Sequence, residues 1–255
     1  MITHQAFLFE ALPDELRITS EAHDAQGKVV RSTKTLRVEN RQSLNAHTFP
    51  LRGHWTTAAA PSFNSHHRWA SIQEFAYDFI QVGTDNLSYR NEGLHFSDYY
   101  AYGEPVFSIG KGTVVSVLDS LSEDESQMMQ NGEDKVAYLK RVAAKQQELL
   151  SRGFKFVLGN HVVIHHANGE YSFCVHLKPG SIRVKKNQLV EAGTEIAAVG
   201  SSGNSTEPHL HFHVTNGLSF VASRSLPVVF SNIVLLPDDN GGIKHLHAGQ
   251  VVRAR

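Results

Sequence analysis

Apolar and polar residues alternate in short runs over most of this chain. Glu15-Leu16-Arg17-Ile18-Thr19 alternates, Asp24-Ala25-Gln26-Gly27 reads as a turn, Lys28-Val29-Val30-Arg31 resumes, and Thr33 to Val38 predicts a third strand. Residues 59–70 read as loop. Glu74 to Val82 predicts a strand with Phe75, Tyr77 and Phe79 on one face and Glu74, Ala76 and Asp78 on the other. After a polar and aromatic loop, Pro105 to Val117 predicts two strands around a Gly-centred turn. His161 to His166 and Tyr171 to Leu177 predict a hairpin turning at Gly169. Ser181 to Val184, Glu195 to Val199 and His209 to Val214 follow, then Val228 to Leu235 and Gln250 to Arg253.

One stretch breaks the period. Glu133 to Leu150 is poor in β-branched residues, and Val136, Leu139, Val142, Ala143 and Leu149-Leu150 form a helical stripe that ends at Gly153. The predicted organisation is a small N-terminal β-module over 1–58, a main β domain over 59–225 with a helical insertion at about 121–152, and a C-terminal β extension over 226–255. Glu123, Asp124, Glu125 and Glu133 of the insertion read as a solvated charged face.

Composition narrows the function classes. At 255 residues, 41% hydrophobic and 19% charged, the chain can build a packed core. A net charge of −1 argues against a general electrostatic grip on nucleic acid or an anionic membrane. Met1-Ile2-Thr3-His4 does not open a basic region followed by an apolar run, so neither a signal peptide nor a membrane span is expected. The single cysteine, Cys174, excludes an intramolecular disulfide and a Cys-based zinc ribbon. It stands near His176, where a nucleophile is one reading and packing of a small side chain the preferred one.

The 16 histidines matter through their placement. In Pro208-His209-Leu210-His211-Phe212-His213-Val214, strand alternation sets the histidines on one face and Leu210, Phe212 and Val214 on the other. One face packs on a core and the other can line a cleft. A turn-rich run, Gly200 to Glu207, leads into this strand. His176 is predicted on a strand face shared with Ser172 and Cys174, and Asp78 supplies a carboxylate. Imidazole and carboxylate together suit zinc.

Gly159 to His166, Val175-His176-Leu177, Val184 to Gly193, Gly200 to Thr206 and Pro208 to Phe212 together resemble the core of lysostaphin/LytM-type metallopeptidases. The similarity takes in Tyr102 to Val106 and Gly110 to Val115, and covers roughly residues 64–118 and 154–216. It implies a barrel-sandwich antiparallel β fold and zinc held by a His, an Asp and the second His of the His-x-His pair. On this sequence the last two are Asp78 and His211, and the acid–base pair is His176 and His209. Many relatives carry His-x-Gly-x-Asp, but here Glu74 stands in the histidine position. His67 is the expected first ligand, with His66, Glu74 and His95 as alternatives.

The activity implied is hydrolysis of peptide bonds in peptidoglycan stem or cross-bridge peptides by metal-activated water, in the periplasm or cell envelope. A second reading is a non-catalytic member that binds cell-wall peptide or regulates a partner hydrolase. A third is a carrier or phosphotransfer module, which Asp78 disfavours. His213 reads as a rim residue or as the partner of a ligand. His161, His165 and His166 read as structural or rim residues, and Tyr99, Tyr100 and Tyr102 as groove lining or core.

Overall fold

The computed structural model describes residues 13–39, 41–62, 65–237 and 245–255. The N-terminal reading at Met1 to His4, and Phe63 and Asn64 of the expected loop, lie outside them. The chain divides into two compact units, 1–42 and 43–255.

In the first unit, β1 (Glu15–His23) and β2 (Val29–Arg37) form an antiparallel hairpin. The two separate runs expected at Lys28–Arg31 and Thr33–Val38 are thus one strand. Thr33 pairs with Thr19 and nothing between the runs breaks the ladder.

The second unit holds β3 (Gly53–Ala59), β4 (Tyr77–Ile80), β5 (Pro105–Phe107), β6 (Gly112–Leu118), α1 (Lys135–Arg152), α2 (Phe154–Leu158), β7 (His161–His165), β8 (Tyr171–Val175), β9 (Leu189–Val190), β10 (Glu195–Ala198), β11 (Leu210–Thr215), β12 (Ser225–Leu226), β13 (Ile233–Leu236) and β14 (Val251–Ala254). The fold is mainly β, and every pairing of these strands is antiparallel. Nine strands run in the order β13-β14-β3-β4-β11-β8-β7-β6-β9, with β12 also on β11 and a separate β5–β10 pair. Val106 of β5 and Ile196 of β10 share one core with Val114, Val162, Cys174 and Phe212 of the large sheet. Strand β3 and the C-terminal β13 and β14 are therefore members of the main sheet. The contact boundary accordingly falls after Gln42, not near residue 58.

Two expected strands are shorter or absent. Glu74 to Ala76 lie in turns, because Gln73 and Ala76 donate their N–H groups to Ala70 and Gln73, so β4 starts only at Tyr77. Ser181 to Val184 meets β10 through one backbone bond, Arg183 N–H to the Ile196 carbonyl, and through Ser181 Oγ, which accepts the Ala198 N–H, and forms no strand.

The insertion is helical as expected, with Asp134 capping the N–H groups of Val136 and Ala137 and Gly153 ending α1. The second helix, α2, was not expected, since Phe-Lys-Phe-Val-Leu favours strands. The predicted stripe of α1 is only partly covered. Leu149 is buried, while Val136 and Leu139 are 59% and 54% exposed.

Two local features tie this unit together. Gly203, at φ +76, backs onto Gly159, so that an added Cβ would stand 2.5 Å from the Gly159 nitrogen. Glu170, buried at the start of the β7–β8 hairpin's return, accepts from Ser43 Oγ, the Leu44 N–H and Asn45 Nδ2 and lies 3.3 Å from His47 Nε2. Burial works against the Glu170 charge, but these donors prevail and hold its pKa below the usual range. Burial lowers that of His47, against the pull of Glu170.

Gly203→Ala is expected to lower unfolding free energy by about 2 kcal/mol or more, from a strained φ and a backbone clash together. Gly180→Ala, left-handed but with open space around it, costs only about 1 kcal/mol. Urea titration of both variants measures the difference. Both depressed pKa values make acid destabilising. The His47 contribution fades as pH falls below its unfolded value of about 6.5, and the Glu170 contribution as pH passes down through its lowered folded value. Urea midpoints measured from pH 7 to pH 4 should therefore fall, and Glu170→Gln should flatten that slope.

A candidate metal centre in the sheet

The site begins with strand register. His211 of β11 pairs with Asp78 of β4 on one side and with Val175 of β8 on the other. Paired residues point to the same face, so Asp78, His211 and Val175 share one, and His213 with Phe173 continues it. Leu210, Phe212, Tyr77 and Cys174 point the other way into the core. Apolar anchoring on that face fixes the polar face without any contribution from the polar residues themselves.

Asp78 is the hub. His211 donates Nδ1–H to Asp78 Oδ1 at 2.9 Å. His67 Nε2 lies 3.2 Å and His66 Nε2 3.4 Å from Oδ2, and His209 Nε2 lies 3.6 Å from Oδ1. Burial alone would raise the Asp78 pKa. The charge of His209 and the bonds from His211, His66 and His67 outweigh it and hold the carboxylate ionised well below its usual range. Burial pulls His211 down to about 4 despite Asp78, so it is neutral near pH 7.

With Nδ1–H given to Asp78, His211 Nε2 is an acceptor, and His213 donates Nδ1–H to it at 3.0 Å. His213 is 1% exposed and stacks on Phe173 at 4.6 Å. It is therefore no rim residue. It is the buried partner of a candidate ligand: with a cation on His211 Nδ1, the tautomer would reverse and Nε2–H would be given to His213 Nδ1, as ligating imidazoles commonly give their other N–H.

His66 and His67 stand on a single 3-10 turn (His66–Trp69) whose N-cap Ser65 accepts the His67 N–H. His67 is 3% exposed, and its ring lies 4.7 Å from that of His211. The His66 side chain is 70% exposed. The two other expected alternatives lie elsewhere. Glu74, off the strand, faces Arg68 at 3.7 Å, and His95 pairs with Glu125 at 3.1 Å.

His176 arrives by a different route from the one expected. Strand β8 ends at Val175, and His176 has φ +60. Strict alternation would send it to the core side with Cys174. The left-handed residue breaks the alternation and brings its ring within 5.0 Å of His209 and 5.8 Å of His211. Its Nδ1–H goes to the Ser202 carbonyl at 2.8 Å, which leaves Nε2 with the lone pair. Burial, then the neighbouring His209 and His211, push its pKa far down, so the ring is neutral. His209 likewise donates Nδ1–H to a carbonyl, that of Glu207 at 2.7 Å, and turns Nε2 toward Asp78.

These donors fit a divalent cation. Among the described residues His66, His67 and Asp78 offer ligand atoms all within 4.8 Å of one another, and His211 Nδ1 reaches the same carboxylate. The His67 Nδ1 atom is buried without a partner, so its bonding rests entirely on the Nε2 side facing Asp78. A buried carboxylate ringed by imidazoles is a donor set of the zinc type.

The cluster opens into a cleft of about 590 Å³. Val142 and Gln146 of α1, Phe154 and Val157 of α2, and Ala59 and Ile80 line it beside the histidines. Other sequence candidates take structural places. Tyr99 packs with Phe96 and Met128, and neither it nor Tyr102 lines the cleft. His161 bonds the Gly159 carbonyl, and His166 the Lys111 carbonyl and Ser172. Cys174 is sealed in the core, where burial pushes its thiol up to about 12. Glu123 was expected on a solvated face, yet both its oxygens are engaged, by the Ser201 N–H and the Tyr102 hydroxyl.

Comparison with known proteins agrees with the resemblance seen in the sequence. Residues 129–222, which include His176, His209 and His211 but not His67 or Asp78, match the model of Peptidase family M23. The peptidoglycan DD-endopeptidase ShyB of Vibrio cholerae serotype O1 is 46% identical over 56 residues, 22% of this chain and 13% of that protein. The DD-carboxypeptidase/endopeptidase Mpg of Neisseria meningitidis serogroup B is 44% identical over 61 residues, 24% of this chain and 14% of Mpg. The matches thus span about an eighth of those relatives' length. Among solved structures, the catalytic domain of lysostaphin from Staphylococcus simulans aligns with a TM-score of 0.35 and 18% identity, over 70% of this chain and 86% of that one. A zinc-containing peptidase from Vibrio cholerae aligns with a TM-score of 0.32 and 22% identity, over 77% and 43%. Over residues 129–222 the chain is thus similar to the peptidases of family M23, and the short matches to the endopeptidases agree with that likeness.

Proposed function

We propose that this protein is a zinc-dependent endopeptidase acting on peptidoglycan stem or cross-bridge peptides in the cell envelope, with His67, Asp78 and His211 as metal ligands and His176 and His209 as the acid–base pair. The observation that carries the reading is the single buried carboxylate of Asp78 with the nitrogens of four histidines around it. His67 is preferred to His66 because it is buried and its ring approaches His211, whereas His66 extends into solvent. The substrate class rests on the endopeptidase relatives and on their names. Among the described residues no helix is long and apolar enough to cross a membrane.

Zinc at this site supplies Lewis acidity, polarising a peptide carbonyl and acidifying water. The chain's own residues do the rest. His176 and His209 each give Nδ1–H to a backbone carbonyl and so turn Nε2 toward the cleft. Such a pair takes a proton from the attacking water and returns one to the leaving amine. The cleft, lined by residues of α1 and α2 and by Ala59 and Ile80 of β3 and β4, is where an extended peptide would lie against the histidines.

Elemental analysis of purified protein should give about one zinc per chain, lost in Asp78→Ala, His211→Ala and His67→Ala and retained in His66→Ala and Glu74→Gln. A parent that takes up no zinc after reconstitution would overturn the proposal. His176→Ala and His209→Ala are expected to keep their zinc while kcat on purified peptidoglycan falls about 100-fold to 10,000-fold, followed by chromatography of the released muropeptides. Full activity in both variants would remove the acid–base assignment.

A further inference from the structure

Both histidines of the proposed acid–base pair are oriented by the same turn, residues 200–207, and that turn is itself anchored from outside. The Ser202 carbonyl accepts His176 Nδ1–H at 2.8 Å. The Gly200 carbonyl accepts the His209 N–H at 3.3 Å, and the Glu207 carbonyl accepts His209 Nδ1–H at 2.7 Å. Ser205 Oγ sits among these groups, bonded to Ser201 Oγ at 2.9 Å and the Glu207 carbonyl at 2.8 Å. Displacing the turn would therefore disturb both rings at once.

The anchor is Glu123, which lies between β6 and α1. Its backbone bridges that of Ser202. Its Oε1 accepts the Ser201 N–H at 2.6 Å and its Oε2 the Tyr102 hydroxyl at 2.7 Å. Bonds to an ionised acceptor are short and strong. Tyr102 is fixed in turn by stacking on Phe96 and by Lys178 Nζ 4.6 Å above its ring. The carboxylate gets this close only because residue 200 has no side chain, since a Cβ at Gly200 would stand 2.5 Å from Oε1.

We propose that Glu123 is a positioning residue for the acid–base pair: by clamping Ser201 it fixes the turn whose carbonyls accept the Nδ1–H groups of His176 and His209 and so aim both Nε2 atoms. The proposal rests on the catalytic reading of those two histidines, but its structural half does not. A free imidazole in water prefers the proton on Nε2, so an Nδ1–H tautomer at His176 is a state that the neighbouring carbonyl imposes. The Glu123 carboxylate bonds Ser201 and Tyr102 rather than the histidines, so its effect is transmitted through the backbone. It belongs to the segment that leads into the helical insertion, so whatever shifts that segment also reaches the histidines.

The test uses the full chain and three variants. In zinc-free, ¹⁵N-labelled protein, long-range ¹⁵N–¹H imidazole spectra should show His176 as the Nδ1–H tautomer. Glu123→Ala should turn it into a mixture or into the Nε2–H form. With zinc loaded, Glu123→Ala should keep full stoichiometry and an unchanged KM while kcat falls about 10-fold to 100-fold, as expected for misplaced catalytic groups. Glu123→Gln retains a carbonyl oxygen for the Ser201 N–H and should restore both the tautomer and most of kcat. Should Glu123→Ala fail to fold, Tyr102→Phe removes only the hydroxyl bonded to Oε2, and a several-fold loss of kcat with a partial tautomer shift is expected of it. Unchanged tautomer and kcat in Glu123→Ala, or in Tyr102→Phe where it serves instead, would overturn the proposal, as would failure of Glu123→Gln to restore them. If the parent protein has no hydrolytic activity, the catalytic reading fails while the tautomer spectra still decide the role of Glu123.

Discussion

One buried anion organises this molecule's polar interior. An isolated carboxylate away from water costs several kcal/mol, so the fold must surround Asp78 with partners or protonate it. The partners come from three places: β11, the 3-10 turn at His66–Trp69, and the end of the 200–207 turn. None of these donors is a fixed cation. Each imidazole can give a proton to the carboxylate or, with its tautomer reversed, lend that nitrogen's lone pair to a metal, so the same residues serve with or without an ion. Arginine or lysine in their place would neutralise Asp78 permanently and forbid a cation.

The neighbouring groups are held by backbone carbonyls. Ser202 and Glu207 fix which nitrogen of His176 and His209 faces the cleft, and His213 does the same for His211. The left-handed backbone at His176 is the conformational cost of this arrangement. It is met by tight packing of the 159–160 and 202–203 segments, where the Asn160 N–H bonds Ser202 Oγ at 2.9 Å and Asn160 Oδ1 accepts from Leu121.

Much of the fold and much of the candidate site were legible in the sequence, for identifiable reasons. The β character, the helical insertion and the His209–Val214 strand follow from periodicity, because each depends on local alternation. The gathering of Asp78, His67 and His211 was reached through resemblance, since residues 133 apart leave no local trace of their pairing. Among the features that periodicity does not reach, three concern the site. The strand through Glu74 was overextended, because turn bonds at Gln73 and Ala76 override its alternating pattern. The side chain of His176 was placed by strict alternation, which a single positive φ cancels. Glu123 read as one more exposed acid, because its partners, Ser201 and Tyr102, are fixed by tertiary contacts alone. Gly200, whose missing side chain makes room for Glu123, was the only sequence signal available.

The pairing of β4 with β11 also has a temporal side. Asp78 emerges early during synthesis and His211 late, and contacts of such long sequence separation form slowly. Until β11 docks, Asp78 is an ordinary solvated carboxylate and the histidines are scattered along a loose chain. Any hydrolytic capacity that depends on their convergence is therefore withheld from partly made or unfolded copies, a safeguard written into strand order that needs no separate inhibitor.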